Sequence, residues 1–63
     1  MKINRLLAAL RGHAAYGLAR VCRAEGDAAA EKRYLTEAMD ILVPLMGEDA
    51  AKCQAGLARL AEL

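Results

Sequence analysis

The side chains of this chain that could do chemistry are few and scattered: one histidine (His13), two cysteines (Cys22 and Cys53), one threonine (Thr36), no serine and eight carboxylates. Nucleophilic catalysis needs a hydroxyl or thiol within reach of a base, and a third group to orient that base. Nothing in this set assembles that arrangement, and no Gly-rich phosphate loop is present. The sequence therefore points away from an enzyme, and no catalytic residue is assigned. A metal centre is not expected either, because a single histidine without a Cys-x-x-Cys or His-x-x-x-His pair cannot supply a ligand cluster. No cofactor is implied. Cys22 and Cys53 fall on apolar or flanking helical positions and not in the dense pattern of a secreted disulfide scaffold, so they read as reduced packing thiols.

The elements that would position any surface can be read from spacing. Sixty-three residues make one domain, residues 1–63, and the 57% hydrophobic fraction contains no Phe or Trp. The core must come from Leu, Ala, Met, Ile and Val, and a core so small rarely supplies more than roughly 3–5 kcal/mol without a staple or a partner. Self-association or a partner chain is therefore expected from the start.

The pattern predicts three helices, near residues 3–25, 28–46 and 49–62, with an all-α fold. In the first, Ile3, Leu7, Leu10, Ala14, Gly17 and Val21 follow one another at alternating spacings of four and three and form the expected core face. Lys2, Arg5, His13, Arg20 and Arg23, with Tyr16 among them, fall on the other side. Gly12 and Gly17 each weaken this helix by about 1 kcal/mol relative to Ala. Gly12 marks either a break or a close approach. Gly26 then ends the helix and Asp27 caps the next one.

The second helix places Ala28, Leu35, Ala38, Met39, Leu42 and Met46 on one side, widened by Tyr34, Ile41 and Leu45. Two slim neighbours would leave part of this face open. Tyr34, Ile41, Leu42, Leu45 and Met46 are accordingly the candidate apolar contact residues, and pairing of two copies across them would give a homodimer. Glu31 lies inside the stripe, either kept wet near the helix start or paired with a basic side chain of the first helix. Pro44 predicts a kink or an end near Leu42. If the helix survives, Gly47 caps it after Met46. Glu48 and Asp49 are expected to open the third helix, whose apolar stripe would be Ala50, Cys53, Leu57, Leu60 and Ala61, with Lys52, Arg59 and Glu62 facing out.

Charge separates the first helix from the rest. Residues 1–24 carry five cations and no acid, while residues 25–63 carry eight acids and four cations, so the net charge of +1 conceals a dipolar molecule. The basic face of Lys2, Arg5, His13, Tyr16, Arg20 and Arg23 could meet phosphates or an acidic protein surface. The longest apolar run without small residues, Ile41–Met46, is far below the roughly 20 residues of a membrane span, and Arg11 interrupts the N-terminal apolar run early. A soluble, cytoplasmic protein without membrane contact is expected.

An internal echo ties the ends together. Gly17-Leu18-Ala19-Arg20-Val21 returns as Gly56-Leu57-Ala58-Arg59-Leu60, 39 residues later with four identities in five. With Leu18-Ala19, Gly26-Asp27 at the turn, Leu35 and Ala38 in the second helix and Pro44 near its end, residues 15–44 resemble a tetratricopeptide repeat. The resemblance implies a helical hairpin, followed here by the first helix of another unit acting as a cap, and Leu18 and Leu35 packed in the hairpin. It also implies a protein-binding role. Ala15, Cys22 and Glu31 depart from the residue types usual in that family, and the 39-residue offset is longer than its usual period.

Two functions follow as expectations. The first is a non-catalytic protein-interaction module: a small adaptor or chaperone, or a stoichiometric inhibitor of the kind phages and mobile elements encode. The second is a small dimeric nucleic-acid binder using the basic face of the first helix.

Overall fold

A computed structural model describes residues 2–63, and the side chains of residues 3–63. Three helices follow in order, α1 (Lys2–Ala24), α2 (Ala28–Met46) and α3 (Ala51–Glu62), with no strand among the described residues. The fold is all-α.

The hairpin between α1 and α2 is set by three residues. Gly26 adopts φ 78°, the left-handed conformation that costs glycine little. The Asp27 N–H donates to the Cys22 carbonyl at 2.9 Å and the Gly26 N–H to the Arg23 carbonyl at 3.1 Å, the paired bonds that close a helix C-terminus on a glycine. The Asp27 side chain then accepts from the Ala30 N–H at 3.1 Å and starts α2. One short turn thus closes one helix and opens the next.

α1 runs unbroken through Gly12, and the reason is contact. A Cβ at Gly12 would lie 2.8 Å from Leu42 Cδ2 and 2.9 Å from Ile41 Cγ2, so the two helices approach each other there as only glycine allows. The face α1 turns to α2 is made of small residues, with Gly12, Ala15, Ala19 and Cys22 all buried. Larger side chains of α2 fill the space, with Leu35, Met39 and Leu42 buried alongside Ala38. The stripe expected to be the core face lies on the other side of the helix: Ile3, Leu7, Leu10, Ala14, Gly17 and Val21 are all exposed. Leu18, expected in the hairpin packing, is 47% exposed, whereas Leu35 is buried as expected. Close helix packing favoured the row of small residues over the row of large ones.

α2 survives Pro44 and ends at Met46, with Gly47 at φ 89° as its cap and the Gly47 N–H donating to the Val43 carbonyl at 2.9 Å. Pro44 sits in the last turn, and the carbonyl it leaves without an intrahelical donor belongs to the exposed Asp40, which water can serve. Glu48 and Asp49 lie in the connecting turn and not in α3, which starts at Ala51 after Ala50 as N-cap with no side-chain cap bond.

α3 returns along α2, so it runs in the same direction as α1. Its first turn meets α1 where the Lys52 ammonium donates to His13 Nδ1 at 2.8 Å and stands 4.8 Å from the centre of the Tyr16 ring. Its last turn meets the start of α2 through Arg59 and Glu31. Between them Cys53 is fully buried, and Gly56 lies so close to Met39 that an added Cβ would meet its Sδ and Cε at 2.5 Å. Lys52 and Arg59, expected to face out, are drawn inward by these partners.

Candidate interaction surface

The largest uncovered apolar feature is the outer side of α1. Ile3, Leu6, Leu7, Leu10, Leu18 and Val21 are exposed to extents running from 47% at Leu18 to 71% at Ile3. Isolated exposed leucines are ordinary, but these share one side of one helix. In the middle of the row, Ala14 and Gly17 make a low waist: a Cβ built on Gly17 meets nothing within 4 Å. The row repeats at spacings of four and three, the seam that a second helix reads in a coiled coil. This seam was visible in the sequence but was assigned to the interior.

The α2 surface expected to be open is mostly covered. Leu42 is fully buried and so cannot serve as a contact residue, and Tyr34, Ile41 and Leu45 are half-buried. Ile41 and Leu42 are covered by the close approach of α1 at Gly12, and Tyr34 packs against the buried cluster. Only Met46 of the five stands open, at 44%.

The basic residues of α1 divide. The Lys2 side chain lies outside the described residues. Arg5, Arg20 and Arg23 are exposed, while His13 and the half-buried Tyr16 are engaged by Lys52 of α3. Arg20, Arg23 and Tyr16 line a shallow cleft of about 130 Å³ between α1 and α3, floored by Leu35 and Glu31. Arg11 reaches Glu37 of α2 at 3.6 Å with both side chains well exposed, a pair of little energetic weight.

Among the described residues, Glu31 is the one buried charge, at 2% exposure. Its carboxylate accepts from Arg59 Nε at 2.6 Å and Arg59 Nη2 at 2.9 Å, a two-pronged grip from α3 and not from the first helix. Those hydrogen bonds hold the Glu31 carboxyl below the usual range, against burial, with the charges of Arg59 and Arg23 adding to the effect. The same bonds raise Arg59. Both pair members are thereby committed to structure. The partner escaped the sequence reading because only the return of α3 brings Arg59 to Glu31.

Cys22 and Cys53 are buried free thiols, and burial, followed by the charges of Asp27 and Glu25, pushes the Cys22 thiol up. Among the described residues, no three His, Cys, Asp or Glu side chains gather to hold a metal, and no helix is long and apolar enough to cross a membrane. No family model matches the chain, and neither a curated protein nor a solved structure matches it.

Proposed function

We propose that this protein is a non-catalytic protein-interaction module whose contact surface is the outer side of α1. The observation that carries this reading is the row of six large apolar side chains left uncovered on a helix whose opposite side is already packed. Burying an exposed Leu contributes about 1.5–3 kcal/mol, so a partner covering several of them gains enough to offset the cost of association. An adaptor, a chaperone for a partner helix and a stoichiometric inhibitor would all use such a surface.

The side-by-side placement of His13 and Lys52, which are 39 residues apart, has the same offset as the internal echo. That coincidence supports reading α3 as the first helix of a second, tetratricopeptide-like unit. The two copies nonetheless have different surroundings, with Gly17 exposed and Gly56 buried.

The test is the double substitution Leu7→Glu with Leu10→Glu. Both sites are exposed, so the variant should keep its helical circular dichroism and melt within a few degrees of wild type. Affinity isolation from host cells, run side by side, should recover a protein with the wild type and lose it with the variant. Recovery of the same proteins by both would remove α1 from the contact.

A second reading, nucleic-acid binding, draws on the exposed Arg5, Arg20 and Arg23. It is weakened by Tyr16, the only aromatic on that face, which is half-buried beneath Lys52 and not free to stack on a base. Titration against duplex DNA and RNA at low salt, where phosphate contacts are strongest, distinguishes the two.

A further inference from the structure

The open row on α1 has a specific electrostatic frame. Along one edge lie Arg20 and His13, the latter carrying the Lys52 ammonium of α3, and along the other Arg11, which reaches Glu37 of α2 at 3.6 Å, while α1 itself contains no acidic residue. The row also points directly away from α2, since Gly12, Ala15, Ala19 and Cys22 occupy the opposite side of the helix. A second copy laid row to row would therefore meet α1 alone. It would bring a helix without acids against another helix without acids, with Arg20 and Lys52 along one edge and Arg11, partly offset by Glu37, along the other, and like charges along a helical seam disfavour pairing.

Resting on the reading of α1 as a protein contact, we propose that its occupant is an amphipathic helix of another protein, with acidic residues flanking its apolar seam. The apolar seam of that helix lies on Leu7, Leu10 and Val21, and its acids meet Arg11 and Arg20. The waist at Ala14 and Gly17 takes a large side chain of the partner, because the space above Gly17 is empty and the row rises on either side of it. Apolar burial supplies the affinity, and the guanidinium groups of Arg20 and Arg11 at the edges select the partner and its register.

The test uses two synthetic helical peptides of about 21 residues, both with leucine seams, one with Glu at the seam edges and the other with Lys. Fluorescence anisotropy with the full chain should show binding of the Glu peptide, weakening as salt rises from about 0.05 to 0.5 M, and at least tenfold weaker binding of the Lys peptide. Arg11→Glu with Arg20→Glu should reverse that preference. Gly17→Leu should melt no lower than wild type yet lose the Glu peptide, because it fills the waist without touching the packed side.

Equal binding of both peptides, or retention of the Glu peptide by Gly17→Leu, would overturn the proposal. Two further measurements identify other occupants. Sedimentation equilibrium showing a dimer that Leu10→Glu dissolves would put a second copy on the row, refuting the acidic helix while leaving a protein contact in place. Binding to vesicles of phosphatidylcholine and phosphatidylglycerol, with neither peptide bound, would assign the row to a lipid surface and refute both readings.

Discussion

Gly12 and Gly17 stand five residues apart on one helix and have opposite surroundings. At Gly17 an added methyl meets open space, so Gly17→Ala should stabilise the protein by about 1 kcal/mol through helix propensity alone. At Gly12 the same methyl would press on the Cγ and Cδ2 of the fully buried Leu42, a branched side chain with nowhere to move. Overpacking of that kind costs roughly 1–3 kcal/mol, enough to cancel or exceed the propensity gain. Thermal denaturation of the two variants should therefore give shifts of opposite sign, and a rise in both would refute the tight crossing at Gly12. The second residue-scale prediction concerns pH. Because the Glu31 carboxyl is lowered in the folded state, its stabilising contribution is whole above the ordinary carboxylate value of about 4.3 and is lost as pH falls through the lowered value. Glu31→Gln should lower the Tm by on the order of 10 °C at neutral pH, because it takes the buried carboxylate from Arg59 and leaves that guanidinium only the exposed Glu62 at 3.7 Å. The difference from wild type should narrow on acidification below about pH 4, and a gap that stays constant down to pH 2 would mean that the loss does not come from the charge of the Glu31 carboxylate.

Within the elements, burial and side-chain size part company. Leu42→Ala on α2 should cost roughly 2–5 kcal/mol, the usual price of truncating a buried leucine, and could unfold a domain this small. Leu18→Ala on α1 should fall within about 0.5 kcal/mol of wild type, since that side chain is half in water. Chemical denaturation would check both, and comparable losses would mean that α1 is rotated from the orientation described. This contrast also explains what was legible in the sequence. The three helices, the Gly26-Asp27 turn and the Gly47 stop were readable because capping chemistry is local, and each signal sits within a few residues of the event it controls. The inner side of α1 was not readable from hydropathy. The helix carries one row of small residues and one of large aliphatic residues, and the general expectation that large aliphatics go inside chose the wrong one. The signal that could have corrected it was Gly12, which lies on the row of Ala15 and Ala19 and not on the row of Leu7 and Leu10.

For the whole molecule, the outcome is a domain in which α1 packs with its small residues against the large ones of α2 and presents its own large residues outward. The longest extent, 37 Å, is close to the length of α1 itself, whose 23 residues rise about 35 Å, and the open row from Ile3 to Val21 covers about 27 Å of it. The candidate surface moved from α2 to α1 for that reason, while the separation of charge between residues 1–24 and the remainder was legible from composition and now frames the row. The grip of Arg59 on Glu31 has a consequence for motion. α3 has 12 residues, too few to persist alone in water, and it is held to the hairpin by the buried Cys53, the Gly56 contact, the packing of Leu60 and Leu63, the Lys52 contacts to His13 and Tyr16, and the ionic pair of Arg59 with Glu31. Amide hydrogen exchange should therefore find α3 opening as its own unit, with lower protection factors than the centres of α1 and α2. Glu31→Gln should lower protection throughout α3 while leaving the Ala15–Ala19 turn of α1 nearly unchanged. Uniform loss along the chain would instead mean that the three helices open together, and the third helix would then be an integral part of the core and not a detachable clasp.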